Sequence, residues 1–466
     1  MSTQDNPNAD RRPQAVCRRA HGRYRSIDQA RAASRRAFLK KSAGLVGLGT
    51  TVPSFLAGTA QWLFGETCHA FASRRSGSDG RILVVIQLAG GNDGLNMIVP
   101  YRNDEYYRLR PTLAIPRTDV IKIDEHQGWH SEATAYQSLL DAGTLGIVQS
   151  VGYPNPNRSH FVSTRIWETA SPKGRFSNGW VGRYFDSTCG GGTAEGRRAA
   201  GQAACDRPDP RLGIAVANEV PLAMQGDRFA PVTTPNPAQF GGPPSRRRKK
   251  QANNARFEGM APVHGPVAPG AAGNLDFLRR SYLEAMDTAV EIRAAARMEI
   301  AGAQFPNGGF GQRLKHIARM IVAGMGTRIY YTSISGFDTH ANQLPRQARL
   351  IRESGRSLRA FVDALARTSH LDQTLVLVFS EFGRRVAENA SGGTDHGQAA
   401  PMFLLGGKVK GGVHGPLPHL DRLTDGDLAF GIDFRTVYAT VLRDWLAVDP
   451  NPILGGKWAS LPLLKT

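Results

Sequence analysis

The apolar positions of the chain follow two rhythms that take turns. Residues 82–88 are an almost unbroken apolar run rich in β-branched side chains, too apolar to be half-exposed, so they predict a buried strand of a parallel sheet. Runs of the same kind recur at 145–151, 328–334, 374–379 and 402–405, with shorter ones at 212–216 and 220–224. Between them the apolar residues fall three and four apart. That spacing predicts helices over 133–140, 161–169, 275–300, 310–325, 348–366 and 434–446. Residues 101–123, broken by Pro111 and Pro116, read as a loop across the sheet edge. Strand and helix alternating in this way imply an α/β fold, a mostly parallel central sheet with helices on both faces.

Composition changes this picture at two places. Between residues 187 and 274 the chain turns to Gly, Pro, Ala, Arg and Asn, and 229–274 buries too little apolar surface to offset ordering entropy, so it is expected to be a flexible insertion. At the other end, residues 34–40 (SRRAFLK) precede a Gly/Ala/Leu/Val stretch to about residue 64. This reads as a leader over residues 1–72 rather than part of the fold, with a small-x-small cleavage site at 70–72. The stretch is broken by glycines and Pro53, so no stable membrane span is expected after processing. The folded domain is expected over 81–466.

The formal charge of +19 suggests a polyanion binder until it is located. A net +7 falls within residues 1–71 and five more positive charges within 246–250, leaving a modest excess elsewhere. No aromatic residues interleave with 246–250 as a stacking platform requires, so specific nucleic-acid binding is not expected. Cysteine is sparse. Cys17 and Cys68 lie in the leader, and Cys189 and Cys205 are either free or the closure of one loop in an oxidising compartment.

Candidate chemistry gathers where strands end. Gly90-Gly91-Asn92-Asp93-Gly94 follows the first run, Asp338 and His340 a later one, and Glu381 and Arg384 the next, before Asp395 and His396 on a polar loop. In open α/β sheets, ligands bind beyond the carboxyl ends of the strands. Carboxylates and imidazoles there suit zinc, manganese or a similar divalent ion, one or two in number. Asp93 is expected to open this site. Ser159 is placed at a helix start, where it is either a nucleophile or an N-cap. His130 and His160 read either as groups supporting a site or as core histidines. Arg158 and Arg384 read either as anion-binding cations or as structural ion-pair partners.

The segments LVVIQLAGGNDGLNMIVPY, QSVGYPNPNRSHF, GFDTHANQ, VLVFSEFGR, TDHG and DFRTVYATVLRDWL together resemble the exported proteins grouped as domain of unknown function 1501, of the alkaline phosphatase and sulfatase superfamily. The paired arginines before Phe-Leu-Lys resemble a twin-arginine export signal, which implies a periplasmic or otherwise exported protein carried by the twin-arginine machinery. The resemblance implies an alkaline-phosphatase-like fold and a metal-dependent hydrolase of phosphate or related oxyanion esters, with a small anionic ester as substrate. The alternative is a non-catalytic exported binding or scaffold protein that retains the fold. On the resemblance, Asp93 is the acid bridging metal and nucleophile, Ser159 stands at the nucleophile, and Asp338 with His340 shares one ion. Asp395 and His396 match the pair of the other ion in type, yet Glu381 occupies that pair's usual place. Either Glu381 has taken the role or it serves an additional ion. His414 resembles the last histidine of the set, with His419 close by. The Ser/Cys-x-Pro-x-Arg pattern of sulfatases is absent at Ser159, which argues against an ordinary sulfatase.

Overall fold

The structure, a computed structural model, describes residues 80–190, 209–241 and 272–465. The chain divides into Met1–Ala57 and Gly58–Thr466, and every described residue lies in the second unit. Among the described residues nine strands join in one sheet: β1 (Ile82–Ala89), β2 (Leu145–Gly152), β3 (Gly213–Ala215), β4 (Val232–Thr233), β5 (Ile329–Ser335), β6 (Thr374–Phe379), β7 (Ala400–Leu405), β8 (Gly412–His414) and β9 (Ile432–Asp433). Across the sheet they run β8-β2-β7-β6-β1-β5-β3-β4, and β9 also pairs with β2. β1 is parallel to both neighbours, β5 and β6. β7 is antiparallel to β2 and β6, whereas the remaining pairings are parallel. The fold is therefore α/β with a mostly parallel central sheet, as the two rhythms imply.

The described helices that matter below are α1 (Gly94–Met97), α2 (Thr134–Asp141), α3 (His160–Thr169), α4 (Trp180–Gly190), α5 (Ala272–Arg297), α6 (Gly309–Val322), α7 (Gln343–Arg367) and α8 (Phe434–Thr440). Helices α3, α4 and α8 cover one face of the sheet, where Trp167, Tyr184, Phe185 and Tyr438 share a core with Val85, Tyr331 and Leu377. Trp167 stacks on Phe379 and Phe434, with ring centroids 5.4 and 4.3 Å away. Truncating a buried ring of this size costs about 3–5 kcal/mol. Helices α2, α6 and α7 pack on the other face, where Tyr136 of α2 meets Phe403 of β7 and donates to Ser354 of α7. With both faces covered and both edges paired, β1 has no exposed side, which is why its sequence is apolar but for Gln87.

Three expectations change. Residues 220–224 form a 3₁₀ turn at Leu222–Met224 rather than a strand, because Pro221 precedes it without a ladder donor. The loop expected over 101–123 contains a helix, Asp104–Leu109, whose start is capped by Asn103 accepting from the Glu105 amide. The segment expected to be flexible from residue 229 begins with packed chain. Phe229 stacks on Phe185 at 4.0 Å, β4 pairs with β3, and Phe240 is buried. Two aromatic anchors override a composition rich in Pro and Gly. The rest of that insertion to residue 271, the leader, residues 246–250 and the Cys189–Cys205 pairing lie outside the described residues and side chains. Among the described residues no helix is long and apolar enough to cross a membrane.

Candidate metal centre

Five chain segments meet at the carboxyl ends of the parallel strands. β1, β2, β5 and β6 are mutually parallel in direction, so the turns after them emerge on the same side. Gly90 and Gly91 follow β1, Arg158 to His160 follow β2, Asp338 and His340 follow β5, and Glu381 to Arg384 follow β6. β7 is antiparallel, so the loop before it, carrying Asp395 and His396, arrives at the same end. This reversal explains why the Asp-His pair stands at a distance in sequence from the strand it was expected to follow.

The side chains converge on Asp338. His160, Asp338 and His396 offer ligand atoms within 4.8 Å of one another. Nε2 of His396 and Nε2 of His340 each lie 3.1 Å from Asp338 Oδ1, and the two nitrogens are 2.9 Å apart. Nε2 of His160 faces Asp338 Oδ2 at 3.5 Å. Each ring is anchored by its other nitrogen. His160 Nδ1 faces Glu381 Oε1 at 2.9 Å, His340 Nδ1 faces Asp395 Oδ1 at 3.2 Å, and His396 Nδ1 faces the Arg158 carbonyl at 2.7 Å. Phe382 packs against the His160 and His396 rings at 4.9 and 4.6 Å.

The donor set suits a cation. All three Nδ1 atoms face oxygens that only accept, so each carries the proton and the neutral ring leaves a lone pair on Nε2. Three lone pairs and a carboxylate then point into one volume, an arrangement that repels itself unless a positive charge is shared among them. Imidazole nitrogens with one carboxylate oxygen are the ligands of zinc and related borderline ions, and carboxylate or carbonyl oxygens behind them are the usual orienting groups.

The electrostatics differ from ring to ring. The hydrogen bond to Glu381 raises the pKa of His160 above its ordinary value, against burial. Burial lowers that of His396. Burial also pushes the Asp338 carboxyl up, but the hydrogen bond and charge of Arg384 weigh against it, and the carboxyl is held down at about 2. The Asn389 amide, with His340, lowers that of Asp395.

The structure therefore sorts the expected residues into those gathered and those held elsewhere. Asp338, His340 and His396 are gathered. Glu381 and Asp395 stand one step behind, each orienting a histidine. His160, read from sequence as a supporting or core group, is part of the centre itself. Its position at the start of the helix that follows β2 was the available signal.

Asp93 is a correction. Its Oδ1 accepts from the Leu95 and Asn96 amides as the N-cap of α1. Its Oδ2 is paired with the fully buried Arg110 at 2.6 Å and also accepts from Gln343. Both oxygens are thus taken by the protein. His414 is also elsewhere, on the outermost strand with Nε2 against the Lys410 carbonyl.

Arg384 is buried, and its donors go to the carbonyls of Gly90, Gly91, Phe337 and Thr394 and to Asp338 Oδ1 at 2.7 Å. It positions Asp338 instead of presenting a free cation. Arg158 is likewise paired, with Asp427. Ser159 is the exposed N-cap of α3, but its side chain makes no cap bond. His130 caps a 3₁₀ turn by accepting from the Glu132 amide.

No curated protein matches the sequence. Among solved structures the chain is similar to the lipoteichoic acid synthase LtaP from Listeria monocytogenes, at 10% identity over 81% of this chain and 80% of that one, with a TM-score of 0.31. It is similar to the PsFucS1 sulfatase from Pseudoalteromonas sp., at 11% identity over 88% of this chain and 75% of that one, with a TM-score of 0.35. A third is the phosphonate monoester hydrolase SpPMH from Silicibacter pomeroyi, at 12% identity over 82% and 75% of the two chains, with a TM-score of 0.28. Residues 246–453 match the model of a family described as a protein of unknown function, DUF1501.

Proposed function

We propose that the chain is an exported metal-dependent hydrolase of phosphate or related oxyanion esters, with one divalent ion, zinc or manganese, held by His160, His340, His396 and Asp338. The observation that carries the metal is the convergence of three Nε2 atoms on Asp338 while each Nδ1 is tied to a separate oxygen. Bound there, the ion supplies Lewis-acid stabilisation of charge developing on an ester oxygen. Glu381, Asp395 and the Arg158 carbonyl hold the rings in one tautomer, and Arg384 fixes the Asp338 carboxylate by binding Oδ1. Phe382 closes the inner side of the His160 and His396 rings to water. Ser159, beside His160, is the exposed hydroxyl nearest in sequence to the centre and the proposed nucleophile.

Elemental analysis of the purified full chain tests the first part, with one divalent ion per chain expected and loss of it in Asp338→Asn and His396→Ala. An absence of stoichiometric metal in the unsubstituted protein overturns the reading. Turnover of a panel of phosphate and phosphonate esters, abolished by chelation and by Ser159→Ala, tests the second part. The commitment of Arg384 and Arg158 to carbonyls and carboxylates favours a second reading, an ion-holding binding or scaffold protein. Stoichiometric metal without turnover of any ester decides for it. Export is inferred from residues 34–40 alone. Replacing Arg35 and Arg36 with Lys should block it, and unchanged export removes the inference.

A further inference from the structure

Behind His160 a chain of buried polar side chains runs through the sheet, and its far end is not needed to hold an ion. Glu381 Oε1 accepts from the Gly90 amide at 2.8 Å and faces His160 Nδ1, while its Oε2 accepts from the Gln87 amide at 3.4 Å. The Gln87 carbonyl oxygen accepts from the Tyr331 hydroxyl at 3.0 Å, and that hydroxyl lies 3.3 Å from Glu168 Oε1. Gln87, Glu168, Tyr331 and Glu381 are all buried. Glu168 also accepts from the Leu222 and Ala223 amides and sits on α3, the helix that begins with His160.

Hydrogen-bond accounting allows one consistent assignment. Three donors point at Glu381, so it acts purely as an acceptor and the Gln87 group facing it must be the NH₂. The Gln87 carbonyl then faces Tyr331 and takes the only proton the phenol has. Tyr331 oxygen is left as an acceptor toward Glu168, and the proton between them must come from Glu168. An ionised Glu168 would contend with Gln87 for that one proton, leave a buried acceptor unpaired, and place a second carboxylate in the network of the first.

We propose that Glu168 is a positioning residue for His160: as a neutral acid donating to Tyr331, it selects the arrangement of Tyr331 and Gln87 that supports an anionic Glu381 behind the imidazole. Burial, the largest influence, pushes the Glu168 carboxyl up to about 7, with the Glu381 charge acting in the same direction and the Ala223 and Leu222 amides opposing. The inference rests on the metal reading for its effect on ion affinity, but not for the network itself.

Two measurements on the full chain test it. Zinc affinity, read by competition with a chromophoric chelator, should stay within about twofold in Glu168→Gln, whose amide still donates to Tyr331, and fall about tenfold or more in Glu168→Leu. Selective ¹⁵N labelling of histidine in the metal-free protein reads the His160 tautomer. The protonated Nδ1 signature should persist in Glu168→Gln and be lost in Glu168→Leu. If the leucine variant does not fold, Tyr331→Phe takes its place, removing the hydroxyl that joins Glu168 to Gln87. An unaltered tautomer in these disrupting variants overturns the proposal, and so does an equal loss in Glu168→Gln. A protein that binds no zinc but shows the residue-168 effect on the tautomer fails the metal reading and keeps this one.

Discussion

Single residues in this protein are best understood by which of their polar atoms are already in use. Asp93 and Arg110 form a buried pair, each with its remaining groups satisfied by neighbours. Removing one charge leaves the other desolvated and alone, so Arg110→Met should cost about 3–5 kcal/mol in chemical denaturation. Asp93→Asn, by contrast, should leave zinc stoichiometry unchanged, and loss of the ion in that variant would return Asp93 to the ligand set. Glu168 makes a pH prediction. Its carboxyl is raised from an ordinary 4.5 to about 7 in the folded protein, so the native state holds a proton that the unfolded chain has released between those values. Stability from this group is therefore fully present below about 4.5 and is lost as pH rises through about 7, a change of about 3 kcal/mol. Thermal melts from pH 4.5 to 8 should show this slope in the unsubstituted protein and a flatter one in Glu168→Gln.

At the scale of elements, the glycine-rich turn after β1 has a role different from the one its acid suggested. Gly90 adopts φ of +119°, and a Cβ there would lie 2.3 Å from the Asp338 backbone nitrogen. Gly91, at φ +79°, would place a Cβ 2.4 Å from the Phe382 ring. The turn is bare so that the loops after β5 and β6 can close over it, bringing Asp338 and Phe382 to the histidines. Gly90→Ala should cost about 3 kcal/mol or more, since it combines a left-handed backbone with a backbone collision. It should also weaken zinc binding by displacing Asp338. Full affinity with a displaced turn would separate the two effects. The strands and longer helices were legible in the sequence because both faces of β1 and one face of each helix are committed to a core. The 3₁₀ turn at Leu222–Met224 and the packed chain around Phe229 were less so. Their order depends on partners such as Phe185 that are distant in sequence.

For the whole molecule, the proposed ion joins three segments, the start of α3, the loop after β5 and the loop before β7, while the loop after β6 orients His160 from behind. A ligand that binds only the assembled site stabilises the folded state by mass action. Zinc at a hundred times its dissociation constant should contribute about 2.7 kcal/mol. Calorimetry should show a higher unfolding midpoint with zinc than after chelation, and this difference should vanish in His396→Ala. Equal midpoints in the unsubstituted protein would mean that the histidines hold no ion in the folded state. The net charge of +19 enters little at this scale, because much of it lies in residues 1–71 and 246–250.

The sequence by itself determined the α/β class, the central strand, and the repeated appearance of acids and histidines where strands end. These are local properties, set by burial periodicity and by glycine-rich turns. It did not determine which acids point inward. Asp93, the most prominent of them in sequence, is turned away by an arginine 17 positions on. His160, the least prominent, is turned inward by Glu381, 221 positions away. The antiparallel course of β7 brings His396 to the same end as strands it does not follow. Such choices are made by pairings between distant segments, so only the tertiary structure decided the composition of the centre.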